Sequence, residues 1–173
     1  MRLVVLAALA LAVAVLACGC GGKADNGLGA YLERVDAEQT HYERERAQVI
    51  RALTGVHAVA PDGTWTRAAR TLRQAGTVYH RLAERMARIE APSNLADRHG
   101  GLARSLLLYQ QIVEAQQAAF ARGDTAFLVR TVNATQPLAD QAHALRARWR
   151  AAAIRAARGA GVDFPPRLRH VGT

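Results

Sequence analysis

Trp65, Ala68, Leu72, Ala75, Tyr79, Leu82, Met86 and Ile89 follow one another at alternating steps of three and four. That period keeps one side of an α-helix apolar and is incompatible with the two-residue alternation of a half-buried strand. A helix so patterned must bury its stripe against other helices or a sheet. Three further stretches carry the same spacing, and no window shows strand alternation. The first stripe runs Leu28, Leu32, Val35, Tyr42, Val49 and Leu53, with Gln39 and Arg46 in its two gaps. The third is Leu95, His99, Leu102, Leu106, Tyr109, Val113 and Phe120, with Gln116 in its gap. The fourth is Phe127, Thr131, Ala134, Leu138, Leu145, Trp149, Ala152 and Ala156.

The punctuation between the stripes sets the order. Thr54-Gly55 ends the first helix, and Pro61-Asp62-Gly63 reads as a turn before Thr64. Ala91-Pro92-Ser93-Asn94 separates the second from the third, because proline is tolerated only in a first turn. Gly100-Gly101 makes the opening of the third helix loose or closely packed. Arg122-Gly123-Asp124 is a tight turn, and Pro137 is expected to kink the fourth helix or to split it near Thr135. Gly159 and Gly161 close it. The expected fold is all-α: an up-down-up-down four-helix bundle over residues 27–158, followed by a basic irregular tail at 159–173. In that register Tyr42, Ala75, Tyr109 and Leu138 share one layer, large rings offset by small side chains. A two-domain or extended-hairpin arrangement is the structural competitor.

Ahead of the helices stands MRLVVLAALALAVAVLACGCGG. Arg2 is a positive n-region and Leu3–Leu16 an unbroken apolar h-region, shorter than the roughly 20 residues that span a bilayer. Leu16-Ala17-Cys18 follows at once. This segment resembles the lipobox signal of bacterial lipoproteins, in which the cysteine after a small residue is diacylated and becomes the new N-terminus. The resemblance implies that residues 1–17 are cleaved and that Cys18 carries the lipid, with Cys20 as the alternative. Residues 18–26 then form a short tether, with Asp25 and Asn26 as candidate helix caps. A plain secretory signal or an uncleaved anchor is the competing reading of the same residues. The stretch from Ala91-Pro92 through His99 to Leu106 is similar to segments of uncharacterised helical lipoproteins of actinobacteria, a resemblance that implies no activity.

Removal of the signal leaves roughly 155 of the 173 residues, one domain with a real core. Both cysteines lie in the signal region, so the body has no disulfide framework and no thiolate metal site. The net charge is +9, and Lys23 is the only lysine. A basic balance normally raises nucleic acid as a partner, but export argues against that. Anionic lipid headgroups, an envelope polymer or an unidentified protein remain. Both ends of an up-down bundle lie together, which places Arg158, Arg167 and Arg169 beside the lipid anchor. Near-surface arginines there would each contribute about 1 kcal/mol of attraction to anionic headgroups.

Chemistry-bearing residues are sparse. Glu38-Gln39-Thr40-His41 has the Glu-x-x-His spacing of di-iron bundles, and Asp140-Gln141-Ala142-His143 nearly has it. Both histidines point away from their apolar stripes, and the other two helices supply no carboxylate at that height. His99 is the one histidine on an apolar stripe, expected near Leu32, Met86 and Trp149 and bonded to the chain around Ala91–Asn94. As a ligand it would pair with Met86 in a metal- or haem-binding bundle. Arg46 is expected to reach solvent from the bundle edge, or else to pair with Glu114. No nucleophile, base and orienting acid come together, and no phosphate-binding glycine loop is present. The expectation is a non-enzymatic, cofactor-free helical module on the extracytoplasmic side of the cell membrane. Its working surface is expected at the far end, at the Val56–Gly63 loop with His57 and the Arg122–Asp124 turn.

Overall fold

The computed structural model describes residues 27–54 and 63–172. The signal segment, Cys18, Cys20, the tether with Asp25 and Asn26, and the loop with His57 lie outside the described residues. Four helices are packed against one another: α1 (Leu28–Leu53), α2 (Gly63–Ala87), α3 (Ala96–Arg122) and α4 (Thr125–Ala160). Among the described residues all regular structure is helical, with short 3₁₀ turns at Ser93–Leu95 and Pro166–His170. None of these helices is long and apolar enough to cross a membrane.

Local chemistry sets the ends. Gly123 and Gly161 take left-handed backbone (φ 68° and 67°) and stop α3 and α4 where a side chain would be strained. The Asp124 carboxylate accepts from the Phe127 N–H at 2.9 Å, capping α4. The Arg122 guanidinium lies 4.7 Å from the centre of the Phe127 ring and steadies the same turn. Helix α4 is continuous through Pro137, so the split expected there as one alternative does not occur. Pro137 and Asn133, whose carbonyl loses its partner to the proline ring, are both exposed, which leaves that carbonyl on the solvent side of the helix where water can replace the lost bond.

Every residue of the second stripe is buried, and α2 packs broadly on α3, as α3 does on α4. Trp65 meets Phe120 edge-on with ring centres 5.0 Å apart. Gly101 lets α3 approach α4, since a Cβ there would stand 3.2 Å from Leu145 Cδ2. The expected layer at Tyr42 and Tyr109 exists, but Tyr79 fills it instead of Ala75. The three rings form a triangle with centres 5.6, 5.9 and 6.2 Å apart. Desolvation pushes the Tyr42 and Tyr79 hydroxyls well above the ordinary tyrosine range, so both remain protonated.

Two sequence expectations fail on the last third of the chain. The buried face of α4 is Leu128, Thr135, Ala142, Arg146, Trp149, Ala153 and Ala157, so only Trp149 of the expected stripe sits fully inside. The C-terminal stretch is not a free irregular tail. Leu168 and Val171 are 0% and 1% exposed, and the 3₁₀ turn between Pro166 and His170 packs on α1. Arg167 donates to Thr40 Oγ1 at 2.9 Å and lies 4.0 Å from Asp36, while Arg150 donates to the Arg169 carbonyl at 3.0 Å. Two apolar side chains in this stretch outweigh its charge.

Gly172 locks that segment down. Its φ of 79° is left-handed, and a Cβ there would come within 2.6 Å of the Ala147 nitrogen and 3.0 Å of Arg146 backbone carbon. Gly172→Ala is therefore expected to cost about 1–3 kcal/mol of docking through backbone strain and overlap. The measurement is limited trypsin digestion: cleavage after Arg167 and Arg169 should accelerate while α1–α4 stay resistant.

Candidate functional site

Two polar constructions interrupt the apolar interior. The first joins all four helices at His99. Its Nε2 lies 2.8 Å from the Met86 carbonyl oxygen, which can only accept, so Nε2 carries the hydrogen and donates. Nδ1 then accepts from the Tyr31 hydroxyl at 3.1 Å. The Tyr31 oxygen in turn accepts from Trp149 Nε1–H at 2.7 Å. Trp149 is 0% and Tyr31 1% exposed, so this directed chain replaces water for three buried polar groups. Burial raises the Tyr31 hydroxyl to about 12, with the Trp149 hydrogen bond pulling the other way.

His99 thus lies where the stripe put it, although its backbone partner is Met86 and not the Ala91–Asn94 turn. It also lines a mainly apolar cleft of about 760 Å³ between α2 and α3. Both ring nitrogens are bonded inward, so a metal or haem iron would have to break one of those bonds. The Met86 side chain is 1% exposed. Among the described residues no group of three His, Cys, Asp or Glu side chains gathers at metal-binding distance.

Desolvation holds the His99 imidazole below its ordinary 6.5, against a smaller opposing effect of the Met86 carbonyl. A histidine whose folded value is depressed binds fewer protons folded than unfolded. Its contribution is therefore complete above about pH 6.5 and is lost as pH falls below it. The urea midpoint should decline between pH 6.5 and 5.5, and His99→Gln should flatten that decline. A wild-type slope retained in His99→Gln would assign it to other groups.

The second construction is Arg146. Its side chain is 2% exposed, and its guanidinium lies over the Tyr42 ring, 4.1 Å from the centre. Nη2 donates to Gln39 Oε1 at 2.7 Å, and Gln39 Nε2 donates to Glu43 Oε1 at 2.7 Å. Arg146 Nη1 is buried and, among the described residues, has no hydrogen-bonding partner. Among the described residues no carboxylate forms an ion pair with this guanidinium, although a buried charge costs several kcal/mol unless paired.

Arg146 lines a cleft of about 400 Å³ where α1 and α4 are joined mainly by long side chains. Gln39, Thr40, Tyr42, Glu43 and Arg46 of α1 form one wall, and Tyr109 of α3 and His143 of α4 form another. Arg167, His170 and Gly172 of the C-terminal segment close the third side. The rim carries Arg46, which is 50% exposed and 3.8 Å from Glu43, together with the Arg167 described above. Arginine outnumbers carboxylate three to one among these lining residues, so the cleft is electropositive. Its chemistry is a desolvated cation set beside two aromatic rings.

The other sequence candidates are placed elsewhere. Glu38 is held by Arg85 Nε at 3.0 Å across α1 and α2, and His41 is exposed, so the di-iron spacing does not assemble. His143 stands edge-on to Tyr109 with centres 6.1 Å apart. Arg46 reaches solvent as expected, without Glu114, whose carboxylate accepts from Gln110. Arg158 and Arg169 are exposed. The sequence reading does not single out Arg146, because an arginine is ordinarily placed on the solvent face of a helix. The spacing 142, 146, 149, 153, 157 is the signal that would have found it. No protein-family model, curated protein or solved structure matches this chain.

Proposed function

We propose that this protein is a non-enzymatic ligand-binding module, lipid-anchored through Cys18 on the extracytoplasmic face of the cell membrane. Its four helices form an up-down-up-down bundle. Trp65 facing Phe120, Tyr79 facing Tyr109 and Met86 facing His99 pair α2 with α3 in opposite senses, which supports that order. The short tether holds the bundle close to the bilayer. Tyr42 lies about 20 Å along the helix axis from Leu28, so the α1–α4 cleft opens on the side of the bundle, halfway up. That cleft replaces the far loops as the working surface in this reading.

The observation that carries the reading is Arg146, a buried cation with an unpaired nitrogen lining a cleft of ligand size. Stability alone does not favour such a group, because a well-packed apolar side chain of similar volume would serve the core as well or better. The competing metal- or haem-binding role for His99 with Met86 is weaker, given the two hydrogen bonds that occupy the imidazole.

Amide NMR of the full chain in detergent, screened against a mixed library of neutral, cationic and anionic fragments, tests this. Shifts should cluster at Gln39–Glu43, Tyr109, His143 and the C-terminal turn. Absence of any clustered response across the library would contradict a binding role. The anchor is tested separately: Cys18→Ala should release the chain from membranes, whereas Cys20→Ala should not.

A further inference from the structure

We infer that the α1–α4 cleft binds a small organic monocarboxylate, its carboxylate on Arg146 and its apolar body against Tyr42 and Tyr109. The inference deepens the binding role proposed above and rests on it. Three observations select this class.

The first is the guanidinium itself. Nη2 is committed to Gln39, and Nη1 has hydrogens and no acceptor among the described residues. The missing partner is an acceptor, and a negative one satisfies the charge as well as the geometry. The second is the number of donors. One desolvated arginine nitrogen suits a carboxylate, whereas phosphate, with more oxygens and up to two charges, needs several convergent donors. Arg46 and Arg167 do not supply them from the interior. Both are largely exposed at the rim, near Glu43 and Asp36 respectively, where they attract an anion without enclosing it. The third is the wall. Tyr109, half-buried, and Tyr42, beneath the guanidinium, line the cleft with aromatic surface that a purely inorganic ion leaves unused, and about 400 Å³ accommodates a carboxylate with an attached ring or short chain. A cationic ligand is disfavoured by the same three arginines, and a neutral one leaves Nη1 with a weaker acceptor.

The probes are phenylacetate, its uncharged isostere phenylacetamide, and inorganic phosphate, titrated into the full chain in detergent and followed by amide NMR. Phenylacetate should bind in the cleft at least about tenfold more tightly than phenylacetamide, the discrimination expected of one charge-assisted hydrogen bond in a desolvated site. Phosphate should produce no saturable shifts at Tyr42 and Tyr109. Arg146→Gln should abolish the tenfold preference, and because the comparison of the two isosteres uses the wild-type chain, it stands whether or not that variant folds. Arg167→Gln, at the rim, should weaken phenylacetate binding by less than Arg146→Gln does. Equal binding of phenylacetate and phenylacetamide would overturn the carboxylate and leave the binding role standing. Saturable phosphate binding without phenylacetate binding would overturn it in favour of an oxyanion site. Failure of all three probes would overturn the inference, and the neutral and cationic fragments of the wider library then decide the binding role.

Discussion

Gln39→Leu is expected to destabilise the folded chain by about 2–3 kcal/mol, and adding Arg146→Met to it is expected to more than restore the loss. The single substitution removes the acceptor that Gln39 offers to a buried guanidinium and leaves the charge inside without that compensation. The double substitution removes donor and acceptor together. It replaces them by side chains that fill similar volume without polar atoms, the exchange that is neutral to stabilising by about 1–4 kcal/mol in buried ionic sites. Some of that gain is offset by loss of the Arg146 contact with the Tyr42 ring, about 1–2 kcal/mol when desolvated. Glu43 is half exposed and loses little when Gln39 no longer donates to it. Urea unfolding of the wild type, both single variants and the pair gives the coupling directly. Two independent, additive effects would mean that the guanidinium and the amide do not depend on one another.

Trp149→Ala should cost about 3–5 kcal/mol, the range for truncating a buried aromatic side chain. Trp149 is 0% exposed and belongs to the hydrophobic core. Its indole N–H also anchors the chain that runs through Tyr31 and His99 to the Met86 carbonyl. Trp149→Phe separates the two contributions, because it keeps an aromatic ring and deletes only the donor and part of the volume. It should cost about 1–2 kcal/mol, the sum of one lost hydrogen bond and a small cavity. If Trp149→Phe were as damaging as Trp149→Ala, the hydrogen-bond chain and not the packing would hold this end of the molecule.

The helices were legible in the sequence because a period of three and four leaves few alternatives. All eight positions of the Trp65–Ile89 stripe are buried, and His99 is found beside Met86 with Trp149 two hydrogen bonds further on, through Tyr31. The fourth helix was not, and the reason is Arg146. A reader who places arginines outside shifts the face of α4 by one position, from Ala153 and Ala157 to Ala152 and Ala156. The same assumption concealed the cleft that this arginine lines. The docking of Leu168 and Val171 was hidden by the charges around them, since two apolar residues in a short basic stretch carry no periodic signal. Pro137 does not divide α4, because its cost depends on whether the orphaned carbonyl can be hydrated, and exposure is a tertiary property.

The proposed site depends on a guanidinium that the folded chain keeps out of solvent. Phenylglyoxal modification of the intact chain, with sites located by mass spectrometry, measures that for every arginine at once. Arg46 and Arg167 should react at the rate of free surface arginines, and Arg146 should react far more slowly until the chain is unfolded in urea, because phenylglyoxal must bond both Nη nitrogens and Nη2 is held by Gln39, whereas a carboxylate engages Nη1 alone. Labelling of Arg146 at the same rate as Arg46 and Arg167 in the folded protein would contradict the buried cation, and with it the site.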